Sequence, residues 1–423
     1  MKRLTLLPLG LFLLLPTVSR AADLTWEDCL KEAAQNNQDL IRSREAVRAA
    51  RFGKDSVYGK FLPSLSAGAN VGSSGNEGSL AGALHDPDAS PSSGINLSAQ
   101  LNLFNGLKDK ASLDAAQAAL DGAQASLQQE RAQLSHDLKY AFAGLLYTQQ
   151  QVGLLTGIAD RQHQNENMVK LHYKGGQENK GSYLNAQASS ASADVDILQA
   201  RRAVRLAQRK LDRLLGRSLL DSPTVTGDFN VPAPDGTPNF LDLAKTAPAY
   251  LSAQANLKSA KSQVGSATGQ FLPSLNASGS IGRSGTTWPP QQDGWTAGLS
   301  LSYPLFSGGQ DAFNLMGAKS RKKQAEISLA TTLQDTAVSL ENVFWNLCNA
   351  LEQTVVQKKF LDATSVQEEI AKAQYNNGLL SYQDWSLVEN SLNSSEKSNL
   401  QALLGAKTAE ADWELAQGKD ELP

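Results

Sequence analysis

Apolar residues recur with a 4-3-4 spacing in two long stretches of the chain, a pattern that indicates coiled-coil seams. No proline occurs between Pro91 and Pro223, or between Pro304 and Pro423. Because a proline inside a helix costs about 3 kcal/mol, these gaps mark where long helices can form. The seam residues are Leu134, Leu138, Ala141 and Leu145 in the first stretch and Leu340, Phe344, Leu347 and Leu351 in the second.

Each stretch is interrupted once by a polar segment that contains glycine, at 173–181 and at 375–381. Such segments are typical of turns between helices. The helix before each turn is predicted to have about 65 residues and, at ~1.5 Å per residue, a length of about 100 Å. Helices this long indicate a rod-like assembly. The predicted helices are about 24–58, 106–172 and 182–216 in the first half, and about 239–268, 309–374 and 381–416 in the second.

Four shorter segments alternate apolar and polar residues with period two, which predicts strands with one apolar face. At about 9 to 11 residues each, they have the length needed to cross a bilayer at a tilt of ~45°. A soluble β-sandwich is the alternative, but it leaves unexplained why each strand pair leads directly into a long helix. The predicted strands are about 62–74, 94–105, 272–284 and 294–307.

The chain is a duplicated unit. Residues 59–67, which contain Phe-Leu-Pro-Ser-Leu, return 210 residues later at 269–277. The Leu-Phe-Asn-Gly that enters the first long helix also matches Leu-Phe-Ser-Gly before the second. We assign the first repeat to 22–222 and the second to 239–423. The proline-rich linker between them, 223–238, is predicted to carry a short strand at 225–231 in a belt around the helices.

Four strands cannot close a membrane barrel, because the smallest barrels have ~8 strands and an open edge in lipid leaves backbone groups without partners. Two copies would give a barrel whose interior is filled by side chains, whereas three would give a wide lumen. The sequence therefore predicts α-helices combined with a transmembrane β-barrel shared by a homotrimer in outer-membrane lipid. The strand hairpins 73–93 and 283–294 are expected outside the cell. An interface girdle of aromatic rings is predicted at Phe61, Phe104, Phe271 and Phe306.

The N-terminus has the features of a secretory signal peptide, predicted at 1–21. A membrane anchor is the alternative, but the apolar run from Leu4 to Pro16 is shorter than the ~18 residues that a spanning helix needs. Neither Cys29 nor Cys348 lies at the predicted cleavage point, which disfavours lipidation, and unpaired thiols are favoured over a disulfide.

Charge and motifs argue against two other classes of function. The net charge of −3, with both signs interspersed, disfavours nucleic acid as a partner. Neither a Gly-x-Ser-x-Gly motif nor a phosphate-binding glycine loop occurs in the sequence. We therefore predict no catalytic residues, no metal site and no cofactor. The histidines, which lack the spacing of a metal site, are His85, His136, His163 and His172.

The repeated Phe-Leu-Pro-Ser-Leu, the Leu-Phe-(Asn/Ser)-Gly segments and the Tyr-x-x-Gly turns together resemble the TolC-like outer-membrane efflux protein family over nearly the whole mature chain. The resemblance implies a trimer whose 12-stranded barrel is continuous with a 12-helix tunnel through the periplasm. It also implies a channel for passive passage in a tripartite efflux or type I secretion system. A periplasmic adaptor protein and an inner-membrane pump are the implied partners.

The resemblance also implies roles for residues near the two turns. Asp384 matches the position of an acidic ring that would favour cations at the pore mouth, and Leu387 and Ser182 match further gate positions. Leu380 stands where an arginine often latches the closed state. A solvated surface Asp and plain helix C-caps are the alternatives. Contacts with the adaptor are implied for Gly176, Gln177, Gly378 and Leu379.

A soluble periplasmic coiled-coil scaffold with β-stranded tips is the competing interpretation of the whole chain. It predicts recovery in the soluble fraction without detergent, so fractionation of the outer membrane distinguishes the two.

Overall fold

The computed structural model describes residues 23–74, 90–218 and 222–423. The predicted signal peptide and most of the first strand hairpin lie outside the described residues. The first half contains α1 (Trp26–Asn36), α2 (Gln38–Tyr58), β1 (Ser64–Ser74), β2 (Ser90–Phe104), α3 (Lys108–Lys174) and α4 (Lys180–Leu215). The second half contains α5 (Phe240–Ala244), α6 (Pro248–Thr268), β3 (Ser274–Gly285), β4 (Gln292–Ser302), α7 (Gln310–Asn376) and α8 (Tyr382–Gln417).

The two halves repeat the same order of elements. Helices α3 and α7 each have 67 residues, and α4 and α8 each have 36. A single 3-10 turn joins α2 to β1 and another joins α6 to β3. At ~1.5 Å per residue, α3 and α7 are each about 100 Å long. The pair of long helices predicted on either side of each turn is therefore present in both halves.

Two predicted helices are each divided into two. The helix predicted at 24–58 breaks at Asn37, whose side chain accepts the backbone N–H of Leu40 at 3.0 Å and so caps α2. The amide of Asn37 also donates to Leu214 O at 3.0 Å, which fixes the break against α4. The helix predicted at 239–268 is interrupted before Pro248, which occupies the first turn of α6.

Two strand predictions also need correction. The fourth strand ends at Ser302 rather than 307, two residues before Pro304, which has no N–H for the ladder. The strand predicted at 225–231 is reduced to one parallel bridge between Val225 and Leu24. In that bridge Leu24 N donates to Thr224 O at 2.8 Å.

The strands form one antiparallel sheet in the order β1-β2-β3-β4. The register aligns apolar residues across all four strands, as in the row Ala67, Leu97, Ile281 and Trp295. One face of the sheet is therefore apolar, and its large side chains are exposed in the protomer. Within the described ranges, β1 and β4 each pair on one side only, so both outer edges of the sheet are free.

The main core lies midway along α3, where α1, the start of α2, the end of α4 and the middle of α8 meet. Among the predicted seam residues, Ala141 and Leu351 are partly exposed, and the others are buried: Leu134, Leu138, Leu145, Leu340, Phe344 and Leu347. None of the helices in the described part of the chain combines the length and the apolar character needed to span a membrane.

Candidate functional site at the helix turns

The turns that follow α3 and α7 have the same backbone geometry. Gly176 and Gly378 have φ angles of +77° and +70°, in the left-handed region that favours glycine. In both turns the next residue, Gln177 or Leu379, donates its backbone N–H to a carbonyl five positions back, at 2.9 Å. These bonds satisfy carbonyl groups at the helix ends, so both glycines act as helix C-caps.

The helices that leave the turns begin with matching caps. Asn179 accepts the backbone N–H of Ser182 at 2.9 Å, and Ser381 accepts that of Asp384 at 3.2 Å. The hydroxyl of Ser381 donates to Asp384 Oδ2 at 2.7 Å. Ser182 and Asp384 thus hold equivalent positions, and the exposed Asp384 carboxylate lies at a helix N-terminus, where a negative charge is favourable.

A groove of about 700 Å³ separates the two turns. Three of the predicted site residues, Gln177, Ser182 and Gly378, line this groove. The side chains of Leu379 and Leu387 are 78% and 65% exposed and lie outside it. The predicted residues therefore occupy one end of the molecule but do not converge on a single point in one protomer.

Aromatic side chains join the two turns. Tyr375 stacks on Trp385 with 4.6 Å between ring centroids and on His172, from the other turn, with 5.2 Å. Trp385 is 1% exposed and Tyr375 is 3% exposed. The Tyr375 hydroxyl lies 3.5 Å from Glu178 Oε2, and burial together with Glu178 raises the pKa of Tyr375. This buried aromatic cluster holds α7 and α8 against the α3–α4 turn.

A charged cluster lies further along the same helices. Arg161 of α3 donates from Nη2 to Glu396 Oε2 at 2.5 Å and to Asn393 Oδ1 at 2.9 Å, both on α8. Its Nε lies 3.5 Å from Glu389 Oε1. Leu380, at the position where the resemblance implies an arginine, instead packs against the aromatic cluster. An ion-pair connection between α3 and α8 is thus present, but at residues that the sequence did not single out.

The sequence carried a signal for both clusters. Tyr382, Trp385, Glu389 and Leu392 follow helical spacing, so Glu389 interrupts a buried apolar face of α8. On α3, Gln162 and Asn165 stand in the same way between the buried Ile158 and Val169. Polar side chains within an apolar helical stripe indicate a buried polar contact, since they are stable there only when they have partners.

The four predicted girdle residues lie where the helical part meets the sheet. Phe61 and Phe271 belong to the 3-10 turns that enter β1 and β3, and Phe104 ends β2. Phe306 follows β4 outside the sheet and is 87% exposed. All four rings are exposed in the protomer, with Phe104 the least exposed at 37%.

Metal ligands and the two cysteine thiols are the remaining candidate groups in the described ranges, 23–74, 90–218 and 222–423. No group of three or more His, Cys, Asp or Glu side chains there is arranged to hold a metal ion. Cys29 and Cys348 are both unpaired. Cys29 is buried in α1, and burial raises the pKa of its thiol to about 12, so it is protonated at neutral pH.

Comparison with known proteins agrees with this architecture. Probable outer membrane lipoprotein SilC of Salmonella typhimurium is 21% identical over 411 residues, which cover 92% of this chain and 86% of SilC. Cation efflux system protein CusC of Escherichia coli O6:H1 is 22% identical over 374 residues, 86% of this chain and 79% of CusC. A crystal structure of CusC has the same fold, with a TM-score of 0.84 at 18% identity over 94% of this chain and 93% of that one.

The family model described as "Outer membrane efflux protein" matches residues 29–217 and 242–419, which together form most of the chain and both of its halves. The matched proteins are efflux proteins rather than enzymes. The chain therefore belongs to the outer membrane efflux protein family, and it is an outer-membrane protein that extends into the periplasm.

Proposed function

We propose that the protein is a passive efflux channel in which three copies form a 12-stranded barrel continuous with a 12-helix tunnel. The observation that carries this proposal is the sheet of one protomer. It has four strands, two free edges and one continuous apolar face. Because lipid offers no hydrogen-bond partners to a free edge, β1 of one copy would pair with β4 of the next until the barrel closes.

The long helices support the same assembly. Each protomer supplies two helices of 67 residues, α3 and α7, and two of 36 residues, α4 and α8, so three protomers would bring twelve helices together near the turns. Helix α7 also presents large apolar side chains to solvent along its length, and extensive exposed apolar surface marks a site of association. We infer that a neighbouring protomer covers them. These residues are Phe313, Met316, Ile327, Val338, Trp345, Val355, Phe360, Val366 and Ile370.

The turns would form the periplasmic entrance. Three copies of Asp384 around the threefold axis would make an acidic ring that favours cations, with Ser182 and Leu387 nearby as further gate residues. The exposed Leu379 and the groove between the turns would be available to a periplasmic adaptor, together with Gly176, Gln177 and Gly378. We propose that an inner-membrane pump selects the cargo, since the channel shows no metal-binding group among its described residues.

Efflux of small solutes or cations and secretion of a protein are both compatible with such a duct. The relative CusC is described as a cation efflux system protein, which favours efflux for this chain. A soluble periplasmic scaffold is not supported, because the family to which the chain belongs is located in the outer membrane. Purifying the protein together with its inner-membrane pump would distinguish efflux of small solutes or cations from secretion of a protein.

The test combines mass and conductance. The protein should be recovered from outer membranes only with detergent, with a protein mass near three times that of a chain of 45.2 kDa less its signal peptide. It should conduct ions in planar lipid bilayers. Monomeric protein, or trimers that never conduct, would contradict the proposal.

A matched pair of variants tests the assembly itself. Val338→Lys places a charge on the exposed apolar side of α7 and should block trimer formation. Ser339→Lys adds the same charge one residue further on, in a groove against helices of its own protomer, and should leave the trimer intact.

A further inference from the structure

Three helices meet at a buried group of charges above the aromatic cluster. Arg161 comes from α3, Glu368 from α7, and Glu389 and Glu396 from α8. We call these four residues the acid–arginine cluster. The side chain of Glu389 is 5% exposed, that of Glu396 17% and that of Arg161 27%. The cluster therefore connects the α7–α8 hairpin to α3 within a single protomer.

The charges of this cluster do not balance. The cluster contains three carboxyl groups and one guanidinium, and Arg161 makes its shortest contact with Glu396, at 2.5 Å. Glu368 Oε1 and Glu389 Oε2 are buried and have no hydrogen-bond partner among the described residues. Glu368 lies close enough to Glu389 to raise the pKa of its carboxyl group. A single proton between them would satisfy both oxygens and remove one buried negative charge, which is costly without a partner.

The neutral amides next to Glu389 do not balance the charge of the cluster. Asn165 is 5% exposed, its Oδ1 has no hydrogen-bond partner in the described part of the chain, and it lines the same small cavity as Glu389. Gln162 Nε2 lies 3.5 Å from Glu389 Oε1. The contact from Gln162 is long, and neither amide carries a positive charge. The two amides therefore do not compensate for the excess of carboxyl groups over Arg161.

The other elements around the cluster add no compensating charge to Glu389. Helix α4 faces the cavity with Ala186 and Ser189. The nearby acids of α4 are paired elsewhere, Asp194 with His163 of α3 and Asp196 with Lys397 of α8. The charged groups that act on Glu389 are Glu368 and Arg161. Burial raises the pKa of Glu389 first, Glu368 raises it further, Arg161 lowers it, and the result is about 7.

We propose that Glu368 and Glu389 form a proton-binding site that holds the α7–α8 hairpin against α3, so that the channel tip is closed when the proton is bound and loosens when it is lost. This inference rests on the proposed channel function, in which the turns form the periplasmic entrance. Loss of the proton leaves two buried, ionised carboxylates near each other, and their repulsion is relieved when the hairpin moves away and water reaches them.

The direction of the pH effect follows from linkage. A carboxyl group whose pKa is raised in the closed state stabilises that state at low pH, and this stabilisation is lost as the pH rises through the raised value. We take about 7 for the closed tip and the ordinary 4.5 for an opened, hydrated one. The ratio of closed to open tips should then fall about 30-fold between about pH 5.5 and about pH 8.

The experiment compares the wild-type trimer with two variants in planar bilayers over this pH range. The open probability of the wild type should rise with pH, with its midpoint near 7. Glu389→Gln imitates the protonated pair, because the amide can donate to Glu368, and it should keep the tip closed at every pH. Glu368→Gln removes the other charge and should also flatten the response, so a folding defect in one variant does not decide the test.

Glu369→Gln serves as the matched control, since Glu369 is the exposed neighbour of Glu368 on α7 and its variant should respond like the wild type. A wild-type open probability that does not change with pH, or a full response in Glu389→Gln and Glu368→Gln, would overturn the proposal. Amide hydrogen exchange of 382–396, corrected for its intrinsic pH dependence, provides a readout independent of conductance. If no trimer conducts, the channel function fails, while loss of protection above pH 7 in the wild type alone would still support the proton site.

Discussion

Lys139 offers the sharpest test of how the end of α8 is fixed to α3. Its side chain is 6% exposed, and its ammonium donates to Glu414 Oε2 at 2.5 Å and to Glu421 Oε1 at 2.8 Å. The same ammonium lies 5.6 Å from the ring centroid of Trp26. The variant Lys139→Met keeps most of the apolar stem and removes the charge, which leaves two carboxylates without their cation.

We expect Lys139→Met to lower the free energy of unfolding by about 3 kcal/mol. Removing one partner of a buried ion pair costs about 3–5 kcal/mol, because the remaining charge stays buried. The lower end of that range applies, since the side chain of Glu421 is 40% exposed and water screens it, while that of Glu414 is 24% exposed.

The effect should depend on pH in a defined direction. Burial acts to raise the pKa of Glu421, but hydrogen bonds from Lys139 and Trp26 bring it below its ordinary 4.5. Burial raises the pKa of Glu414 although Lys139 acts against it. Because Lys139 favours the ionised form of both groups, its stabilisation is present at neutral pH and is lost as they become protonated. The difference between variant and wild type should therefore shrink as the pH falls towards about 4.5.

The assay is the apparent midpoint of thermal unfolding of the detergent-solubilised protein at a fixed scan rate, since large proteins often unfold irreversibly, and the loss of stability should appear as a lower midpoint. Lys358→Met is the control, because Lys358 pairs with Asp362 on the surface of α7 at side-chain exposures of 63% and 62%. Such an exposed pair contributes about 0–1 kcal/mol. The reasoning would be refuted if Lys139→Met and Lys358→Met lost equal stability. It would also be refuted if the difference in stability between Lys139→Met and the wild type grew as the pH falls.

Four further outcomes follow from the structure. Leu340→Ala should lower the free energy of unfolding by about 2–5 kcal/mol in denaturant titrations, because Leu340 is fully buried. Gly378→Ala should lower the free energy of unfolding by only about 1 kcal/mol, since an added Cβ meets nothing within 4 Å. Gly418→Ala should lower it more, because its Cβ would collide with the ring of Pro248. Asp384→Asn should change cation selectivity or divalent-cation block of single channels, and an unchanged reversal potential with unchanged block would contradict an acidic ring. Tyr375→Phe should leave the midpoint of thermal unfolding nearly unchanged, because the contact of its hydroxyl is 3.5 Å long.

Much of the fold could be predicted because the informative signals are local and duplicated. Alternation with period two indicated the strands, and the glycine-bearing segments indicated the turns at which α3 and α7 end. The break at Asn37 could not be predicted in the same way, because it depends on a contact with Leu214 far along the chain. The start of α6 did have a signal in the sequence, because proline favours the first turn of a helix and Pro248 stands there.

The candidate site was predicted less completely, for a different reason. Positional resemblance directed attention to Asp384 and Leu380, which lie close to the second turn. The contacts that join the hairpins in the structure lie at Tyr375, Trp385 and Glu389. These residues gain their roles from a partner helix, and a single sequence shows which face of a helix is apolar but not which helix covers it.

The two halves differ in the side chains around their turns, although the turns share one backbone geometry. When the turns are aligned by their glycines, Tyr173 and Tyr183 match Tyr375 and Trp385, and both pairs of rings stack, at 5.7 Å and 4.6 Å. The first stack remains partly exposed, with Tyr173 37% exposed, whereas the second is buried between the hairpins.

The acids diverge in the same way. Glu368 and Glu389 match Glu166 and Gln187 of the first half, so only the second half carries two carboxyl groups at these positions. Gln187 is exposed, while Glu389 is buried beside Arg161. The shared turn geometry positions both hairpins, but the second one is held by buried aromatic and ionisable groups, to which we assign the proton-binding site. The proposed proton site therefore makes α7 and α8, rather than α3 and α4, the helices whose movement would open the entrance.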